Sequence, residues 1–381
     1  ACPRNPGGGR GAGPPDAQPP PTSMSRSRAA FSSSRRRAAN SNCSSAAAAC
    51  IWSAIPAPEA RPAALSPLAS KVGSTPARTD IELYRAISRR VEAGEGYYQA
   101  AASEQRLAGY PILPAQAIRL PTLAWVHSAL TETGSRILLV LLAAAATWAW
   151  WDRLGGRGSE FPGSANAGAA MVAFGLAATL HPATVYSHEV WAGTLIALSL
   201  GIYRPERPAL AIFTGLLALV IRELSLPFVL LMAANACWHR RWPELGGWLA
   251  VVASFLLLLW LHAQAHAAIV RPGDMASPGW LTLLGVAGFT GKVKAASILG
   301  LLPAWAIGPA AVLSLAGWLG WRGELGLTGA MMHGGYALFF CLFGRADNYY
   351  WGFVSMPTLL VGLLVVPALI GDLRASLNRT A

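Results

Sequence analysis

Charged side chains are scarce in this sequence. Asp, Glu, Lys and Arg make up 13% of the 381 residues, whereas a soluble domain carries about 25%. The mean hydropathy is +0.40 and there are 15 Trp residues. Several apolar stretches approach the roughly 20 residues that cross the hydrocarbon core of a bilayer. These values exclude an ordinary soluble domain and predict an all-α polytopic membrane protein.

Cysteine patterns that define disulfide frameworks or metal sites are also missing. Three of the five cysteines, Cys2, Cys43 and Cys50, lie in a polar first segment, and Cys237 and Cys341 lie in apolar runs. No paired cysteine spacing occurs, and His181 and His188 are not spaced as His-x-x-x-His. We therefore expect no metal site and no cofactor, and we expect Cys237 and Cys341 to be small apolar core residues.

Acidic residues are too few to balance the basic ones, but the excess is local. Residues 1–79 hold ten Lys/Arg and two acidic residues, and so +8 of the net charge of +12. The rest of the chain has the mild excess expected of a membrane protein with basic cytoplasmic loops. The charge therefore does not predict a nucleic-acid partner.

Residues 1–79 show no sustained hydrophobic period and are rich in Pro, Gly, Ser, Ala and Arg. Such a composition predicts a low-complexity disordered tail. The sequence starts with Ala1 and its first Met is Met24, which suggests a truncated or mis-framed gene start. A signal peptide is the alternative, with Arg35–Arg37 as its basic region and Ala46–Ile55 as its apolar core.

The apolar runs predict about nine transmembrane helices in residues 134–370. The predicted spans are 134–151, 166–181, 188–203, 208–222, 224–238, 245–262, 300–320, 326–343 and 352–370. Basic residues follow every odd-numbered span, at Arg153/Arg157, Arg204/Arg207, His239–Arg241, Arg322 and Arg374/Arg379. One orientation therefore satisfies the positive-inside rule, with residues 371–381 as a short cytoplasmic tail.

The same charges decide how residues 208–238 cross the membrane. Both flanks are basic, so an even number of passes is needed, and Arg222-Glu223 and Pro227 mark a break between two short helices. This threading places Arg271, Lys292 and Lys294 outside the cytoplasm. Binding of anionic phosphate groups is one reason for cations there. Residues 279–298 predict a re-entrant or interfacial helix.

Residues 80–133 are predicted to form a non-cytoplasmic loop that begins with an amphipathic helix. Asp80–Arg90 places its apolar residues close to one helical face, and Gly94 and Gly96 end the helix. We expect this helix to lie at the membrane surface, with Tyr97-Tyr98 as interface anchors. Asp80 and Glu82 at its start fit two roles, helix capping by Asp80 or a general base held at the membrane surface.

Three polar clusters fall at other predicted outer ends. His181 and His188-Glu189 bracket a short turn, and Arg345, Asp347 and Asn348 adjoin Tyr349, Tyr350 and Trp351. These side chains fit either structural pairs and a membrane belt of aromatics, or substrate binding and an aromatic wall for a sugar ring.

Arg222-Glu223 is the third cluster. It fits either a buried ion pair at a helix break or a functional pair in which Arg222 clamps a phosphate. Neighbours on a helix point about 100° apart, so Arg222 and Glu223 need not pair with each other.

The start of the predicted loop resembles a known family. Asp80, Tyr84, Gly94, Tyr97-Tyr98 and Arg119-Leu120-Pro121 together resemble the first outer loop of the C-type (GT-C) glycosyltransferases, which depend on polyprenyl-phosphate sugars. The likeness extends loosely over residues 80–370. Members normally carry a span just before the acidic residue, where this chain has the segment 1–79. Their two neighbouring acidic residues are separated here by Ile81.

The resemblance implies a function and a site. It implies transfer of a sugar from a polyprenyl-phosphate donor on the non-cytoplasmic face, with Asp80 as the acidic catalytic residue and Glu82 as its substitute. In an inverting displacement Asp80 takes the proton of the acceptor hydroxyl, and Arg222 or Arg345 meets the charge of the leaving phosphate. We expect the active site to face outward from a bacterial inner membrane, with a lipid-linked sugar donor and membrane lipids as partners. The predicted substrate-binding residues are Tyr84, Tyr97, Tyr98, Arg119, His181, His188, Glu189, Arg222, Glu223, Arg345, Asp347 and Asn348.

Two other functions fit the same residues. Arg222, Glu223 and His188 within apolar runs are also typical of a transporter or lipid flippase, although the sequence shows one interrupted segment and no second half that mirrors it. A non-enzymatic assembly or scaffold protein is the third alternative.

Overall fold

The structure is a computed structural model that describes residues 79–155 and 164–380. The predicted disordered tail therefore lies outside the described residues apart from Thr79, as does Arg157. In the described part of the chain the secondary structure is entirely helical, without a β-strand. The α-helices are α1 (Asp80–Glu92), α2 (Tyr97–Ala108), α3 (Thr122–Gly155), α4 (Ala165–Gly175), α5 (His188–Ile202), α6 (Ala209–Ile221), α7 (Leu226–Trp238), α8 (Trp242–Ala267), α9 (Gly285–Ala296), α10 (Ala304–Gly320), α11 (Glu324–Leu342), α12 (Met356–Leu359) and α13 (Val366–Thr380).

Every predicted span overlaps an apolar helix, but the helices differ in length. Among the described residues, four helical stretches are long and apolar enough to cross a membrane, at Ala115–Gly155, Trp242–Ala267, Glu324–Leu342 and Met356–Asn378. Five further apolar helices have 10–17 residues, at Ala165–Gly175, His188–Ile202, Ala209–Ile221, Glu223–Trp238 and Ala304–Gly320. The all-α class is thus confirmed and four membrane-length helices indicate a membrane protein. The figure of nine passes stays a prediction.

Exposed tryptophans lie near the two ends of the apolar helices. Trp148, Trp151, Trp238 and Trp242 lie near one end, and Trp125, Trp260 and Trp305 lie near the other. Trp242 and Trp260 are both on α8, and 18 residues of helix at a rise of about 1.5 Å span about 27 Å. This spacing is close to the roughly 30 Å hydrocarbon thickness, and Trp favours both membrane interfaces.

The helix ends with basic residues come together, as the threading predicts. Arg204 pairs with Asp152 at 3.3 Å, and Arg153 donates to the backbone oxygens of Leu200 and Tyr203. Arg241 pairs with Glu324 at the start of α11. These contacts define what we call the basic end of the bundle, formed where α3, α5 and α7 finish and α8 and α11 begin.

The last predicted span overlaps the membrane-length stretch Met356–Asn378, but it is not one continuous α-helix. Over residues 352–370 the chain forms a 3₁₀ helix, Tyr349–Val354, then α12, a second 3₁₀ helix, Leu360–Leu364, and the start of α13. Close packing explains the irregular path, because a Cβ at Gly193 of α5 would overlap the carbonyl oxygen of Phe353. Trp318 Nε1 donates to the Leu359 carbonyl at 3.0 Å, which satisfies a backbone group that a continuous helix would have used. Helix α13 also continues through the predicted tail at 371–381.

The predicted loop 80–133 is more helical than expected. Helix α1 is confirmed, but α2 was not predicted, and α3 begins at Thr122 rather than near residue 134. Thr131 has φ +62° and interrupts α3, so the part after this kink matches the predicted first span. The cap of α1 is Thr79 and not Asp80, because the Thr79 and Glu82 side chains form a reciprocal capping box.

Helices α1 and α2 share a small core of their own. Leu83, Ile87 and Val91 of α1 pack with Tyr97 and Ala100 of α2. The prediction of Tyr97-Tyr98 as membrane anchors is wrong for Tyr97, whose ring is buried, whereas Tyr98 is half-buried against α8. The Tyr97 hydroxyl donates to the Arg119 carbonyl at 2.7 Å, and the Tyr98 hydroxyl shares a hydrogen bond of 3.0 Å with His262 Nδ1. Since His262 lies on α8 just beyond Trp260, the α1–α2 layer covers the bundle end opposite the basic end.

Asp274 ties this layer to the chain after α8, and its protonation provides a test. Hydrogen bonds from Arg106 hold the pKa of Asp274 at about 2, below its ordinary value. The unfolded carboxylate has a pKa of about 3.9, so the stabilisation is complete above that pH and is lost as the pH falls through about 2. We expect Asp274→Asn to unfold at a lower temperature than wild type at pH 5, with a smaller difference at pH 2.5. Parallel profiles of the thermal midpoint in detergent over this range would contradict the pairing.

Candidate functional site

The break between α6 and α7 is built around Arg222. Helix α6 ends at Ile221, Arg222 is extended at φ −146° and ψ 116°, and the 3₁₀ helix Glu223–Ser225 leads into α7. The predicted break is confirmed. The Arg222 side chain is 1% exposed, its Nε donates to Glu189 Oε1 at 2.6 Å, and its Nη1 pairs with Glu223. Arg222 and Glu223 do pair, because the extended residue removes the helical 100° offset.

A second arginine completes this ion network. Arg119 Nη1 lies 3.3 Å from Glu223 Oε1, so one carboxylate faces two guanidinium groups. Glu189 is 2% exposed and comes from the start of α5, which is buried almost throughout. Three segments distant in sequence therefore meet at one point with two cations and two anions, and their formal charges cancel.

Tyr84 and His188 lie beside the network. The Arg119 Nε donates to the Tyr84 hydroxyl at 3.2 Å, and the Tyr84 and His188 rings meet edge to face at 4.7 Å. Burial raises the pKa of Tyr84; Arg119 lowers it, while Asp80 and Glu189 raise it further. Tyr84 thus lies within electrostatic reach of the ion network and of Asp80 on its own helix.

Asp80 faces the same cluster from the start of α1. Its Oδ1 accepts a hydrogen bond of 2.6 Å from the Tyr110 hydroxyl. Burial raises the pKa of Tyr110 and the hydrogen bond to Asp80 raises it further. Burial also raises the pKa of Tyr350, with added contributions from Tyr84 and Asp80. The partly exposed Asp80 carboxylate therefore lies at the edge of the buried network and within electrostatic reach of two tyrosines.

The aromatic segment at 349–351 closes the cluster. The Arg222 guanidinium lies 5.9 Å from the centre of the Trp351 ring. Asn348 is buried, accepts from the Arg345 backbone N–H at 3.0 Å and donates to the Tyr350 hydroxyl at 3.3 Å. Asn348 thus fixes the turn that carries the aromatic residues.

Four of the predicted site residues have other roles or lie apart from the network. Glu82 is exposed and bonded to Thr79 in the capping box. His181 Nδ1 accepts from the Ala183 backbone N–H and starts a short 3₁₀ helix. Arg345 pairs with Asp347, whose side chain is 67% exposed, so this pair lies on the rim.

Several residues that the sequence did not single out contribute to this end. Glu132 accepts from Arg85 at 2.6 Å and from the Tyr186 hydroxyl at 3.0 Å. The His127 ring stacks at 4.7 Å on Tyr186, and both rings line a cavity of about 10 Å³ that His188 and Tyr84 also border. His127 and Glu132 interrupt the apolar residues in the first part of α3. That interruption is the sequence signal that could have identified them.

The cysteine prediction holds only in part and the metal prediction is unaffected. Cys237 is exposed on α7, so it is not a core residue, whereas Cys341 is half-buried. Within the described ranges no three His, Cys, Asp or Glu residues are grouped to hold a metal ion.

Comparison with known proteins gives no relative: no family model, no curated protein and no solved structure matches the chain. The class of protein is therefore defined by its own fold and site. Over its described residues it is all-helical, with membrane-length apolar helices and a buried, charge-neutral ion network at the end opposite its basic loops.

Proposed function

We propose that this chain is an integral membrane glycosyltransferase of the GT-C type, which moves a sugar from a polyprenyl-phosphate donor to an acceptor on the non-cytoplasmic face. The observation that carries the proposal is the convergence of Asp80, Tyr84, Arg119, Glu189 and Arg222 at the bundle end opposite the basic end. Under the positive-inside rule that end faces away from the cytoplasm, which for a bacterial inner membrane is outward.

Asp80 is the side chain best placed to act as general base. It is partly exposed at the rim, whereas Glu189 and Glu223 are engaged with arginines and Glu82 is engaged with Thr79. As the oxygen of the acceptor hydroxyl attacks the anomeric carbon, the hydroxyl proton passes to Asp80. The bond between the anomeric carbon and the phosphate oxygen breaks at the same time. Tyr349 and Tyr350 offer aromatic surface beside it for a sugar ring.

The polar cluster also has the groups that a leaving phosphate requires. Arg119 and Arg222 are held rigidly by carboxylates, so their donors are oriented before a ligand arrives, and preorganised donors stabilise charge that develops in a reaction. The activity requires no cofactor, because a phosphate ester bound to a polyprenol is already a good leaving group.

Transport or lipid flipping is the second candidate, and one observation favours it. Two interrupted segments, at Arg222 and at residues 349–365, pack against each other through the contact of Arg222 with Trp351. Paired broken helices at a polar site are typical of transporters.

One reconstitution experiment separates the two functions. Purified protein in liposomes receives a polyprenyl-phosphate sugar with a radiolabelled sugar moiety, together with a mixture of lipid and glycan acceptors. Label that moves covalently to an acceptor supports the transferase. Label that exchanges across the bilayer by counterflow, still attached to its donor, supports the transporter and contradicts the proposal.

A further inference from the structure

Lys292 is a buried cation that the ion network does not neutralise. It lies on α9 and is 2% exposed. Its ammonium makes one hydrogen bond, at 3.5 Å, to the Gly288 carbonyl of its own helix, and lies 5.4 Å from the centre of the Phe340 ring. No carboxylate of the described residues forms an ion pair with it. An unpaired buried charge is costly, and at membrane depth it marks a functional residue by default.

Three arginines of the candidate site already have carboxylate partners, whereas Lys292 has none among the described residues. Arg222 and Arg119 face Glu189 and Glu223, and Arg345 faces Asp347. A phosphate at any of these arginines shares the guanidinium with a carboxylate that is already in place. At Lys292 a phosphate replaces one weak hydrogen bond, so Lys292 is a cation whose charge the ligand neutralises.

Trp351 connects Lys292 to the polar cluster. A Cβ at Gly344 would lie 3.6 Å from Lys292 Nζ and 3.1 Å from Trp351 Cζ3, so the ammonium and the indole border the same point. The same indole faces the Arg222 guanidinium. Trp351 Nε1 is itself buried and has no acceptor among the residues described. Two buried donors therefore lie at one loop: the Trp351 N–H without an acceptor, and the Lys292 ammonium with one long hydrogen bond.

An apolar groove begins one helical turn from Lys292. Ala296, four residues further along α9, is on the same helical face and lines this groove together with Gly175, Ala178, Ala295 and Phe353. Gly352 packs against both Ala296 and the Lys292 carbonyl, so the groove wall at Ala296 adjoins the Lys292 backbone. The groove opens beside the exposed side chains of Phe174 and Leu301. Small residues along its floor and apolar residues at its mouth suit a hydrocarbon chain that enters from the bilayer.

We infer that Lys292 binds the single phosphate of a lipid whose hydrocarbon chain lies in the groove between α4 and α9. The inference rests on the proposed function for the choice of a lipid as the ligand. It goes further by assigning one negative charge to the phosphate of that lipid. One uncompensated cation matches a phosphodiester with one negative charge. A diphosphate brings additional negative charge that no free buried cation of the described site meets.

Binding can be tested without sugar transfer. The probe is radiolabelled farnesyl methyl phosphate, a phosphodiester with one negative charge, and its affinity for the purified full chain is measured in detergent. We expect Lys292→Met to weaken binding at least about tenfold, since a hydrogen bond to a charged group is lost. Lys292→Arg keeps most of the affinity. Lys294→Met, which removes the neighbouring and less buried lysine of α9, is the matched control and leaves it unchanged.

Stability separates a binding role from a structural one. Replacing an uncompensated buried charge by an apolar side chain is neutral or stabilising, so the ligand-free Lys292→Met protein should unfold at the same temperature as wild type or higher. A lower unfolding temperature, or unchanged binding by this variant, overturns the inference. Ala295→Phe, which fills the groove, should weaken binding without affecting the unfolding temperature.

Competition experiments test the nature of the ligand. Farnesol and inorganic phosphate should each displace the probe poorly, because each supplies one half of the ligand. Displacement by inorganic phosphate alone at the concentration of the probe overturns the lipid assignment, and equal affinity for farnesyl diphosphate overturns the single charge. Binding that depends on Lys292 in a protein without sugar transfer supports this inference and contradicts the proposed function.

Discussion

The Asp80→Asn variant is expected to lose sugar transfer by about 100- to 10,000-fold in kcat, the usual contribution of a general base. Asn keeps the size of the side chain and can still accept the hydrogen bond from Tyr110, but it cannot take up the proton of the acceptor. The KM for the donor should change little, because the polar cluster that binds it is intact. Radiolabelled transfer in liposomes measures both constants.

Glu82→Gln is the matched control for this variant. It removes the other carboxylate at the start of α1, which caps the helix rather than facing the cluster. We expect kcat within about twofold of wild type and a loss of stability on the order of 1 kcal/mol or less, since Gln also serves in a capping box. Full activity of Asp80→Asn, or a loss confined to Glu82→Gln, would falsify the assignment of the base.

Arg222→Met should be the most destabilising single substitution at the site, at about 3–5 kcal/mol, because it leaves Glu189 buried without its cation. Glu223 retains Arg119 as a partner, so the cost arises mainly from Glu189. The free energy of unfolding, from reversible denaturant titration in detergent micelles, provides the measurement.

Two further variants make this test specific. Arg345→Met removes an arginine whose partner Asp347 is mostly exposed, and it should cost about 0–1 kcal/mol. The double variant Arg222→Met/Glu189→Leu removes both buried charges and should recover part of the stability lost by Arg222→Met. The Arg222–Glu189 pair does not hold this break if Arg222→Met costs no more free energy of unfolding than Arg345→Met. The same conclusion follows if the double variant is less stable than Arg222→Met alone.

Local signals in the sequence located the helices and one of the breaks. The amphipathic pattern of Asp80–Arg90 predicted α1, and the basic residues that follow alternate spans predicted which helix ends meet. The break at Arg222 followed from the parity of those charges. These features depend on how each side chain is solvated, which its residue type decides whatever the tertiary fold.

Other features required contacts between distant segments. Tyr97, for example, is buried only because α2 packs on α1 and near Arg119. The irregular path of residues 349–365 follows from close backbone contacts with α5 and α10. Apolar composition alone did not distinguish this segment from a continuous span.

For the polar residues, the sequence determined which end of the bundle they occupy, since charge and apolar length fix how each helix is oriented relative to its neighbours. Only the tertiary structure decided their partners: Arg222 is matched by Glu189 and Glu223, whereas Lys292 has no carboxylate partner in the described part of the chain. The physical reason is that membrane burial makes every charge depend on its nearest opposite charge, and those neighbours come from segments far apart in the sequence.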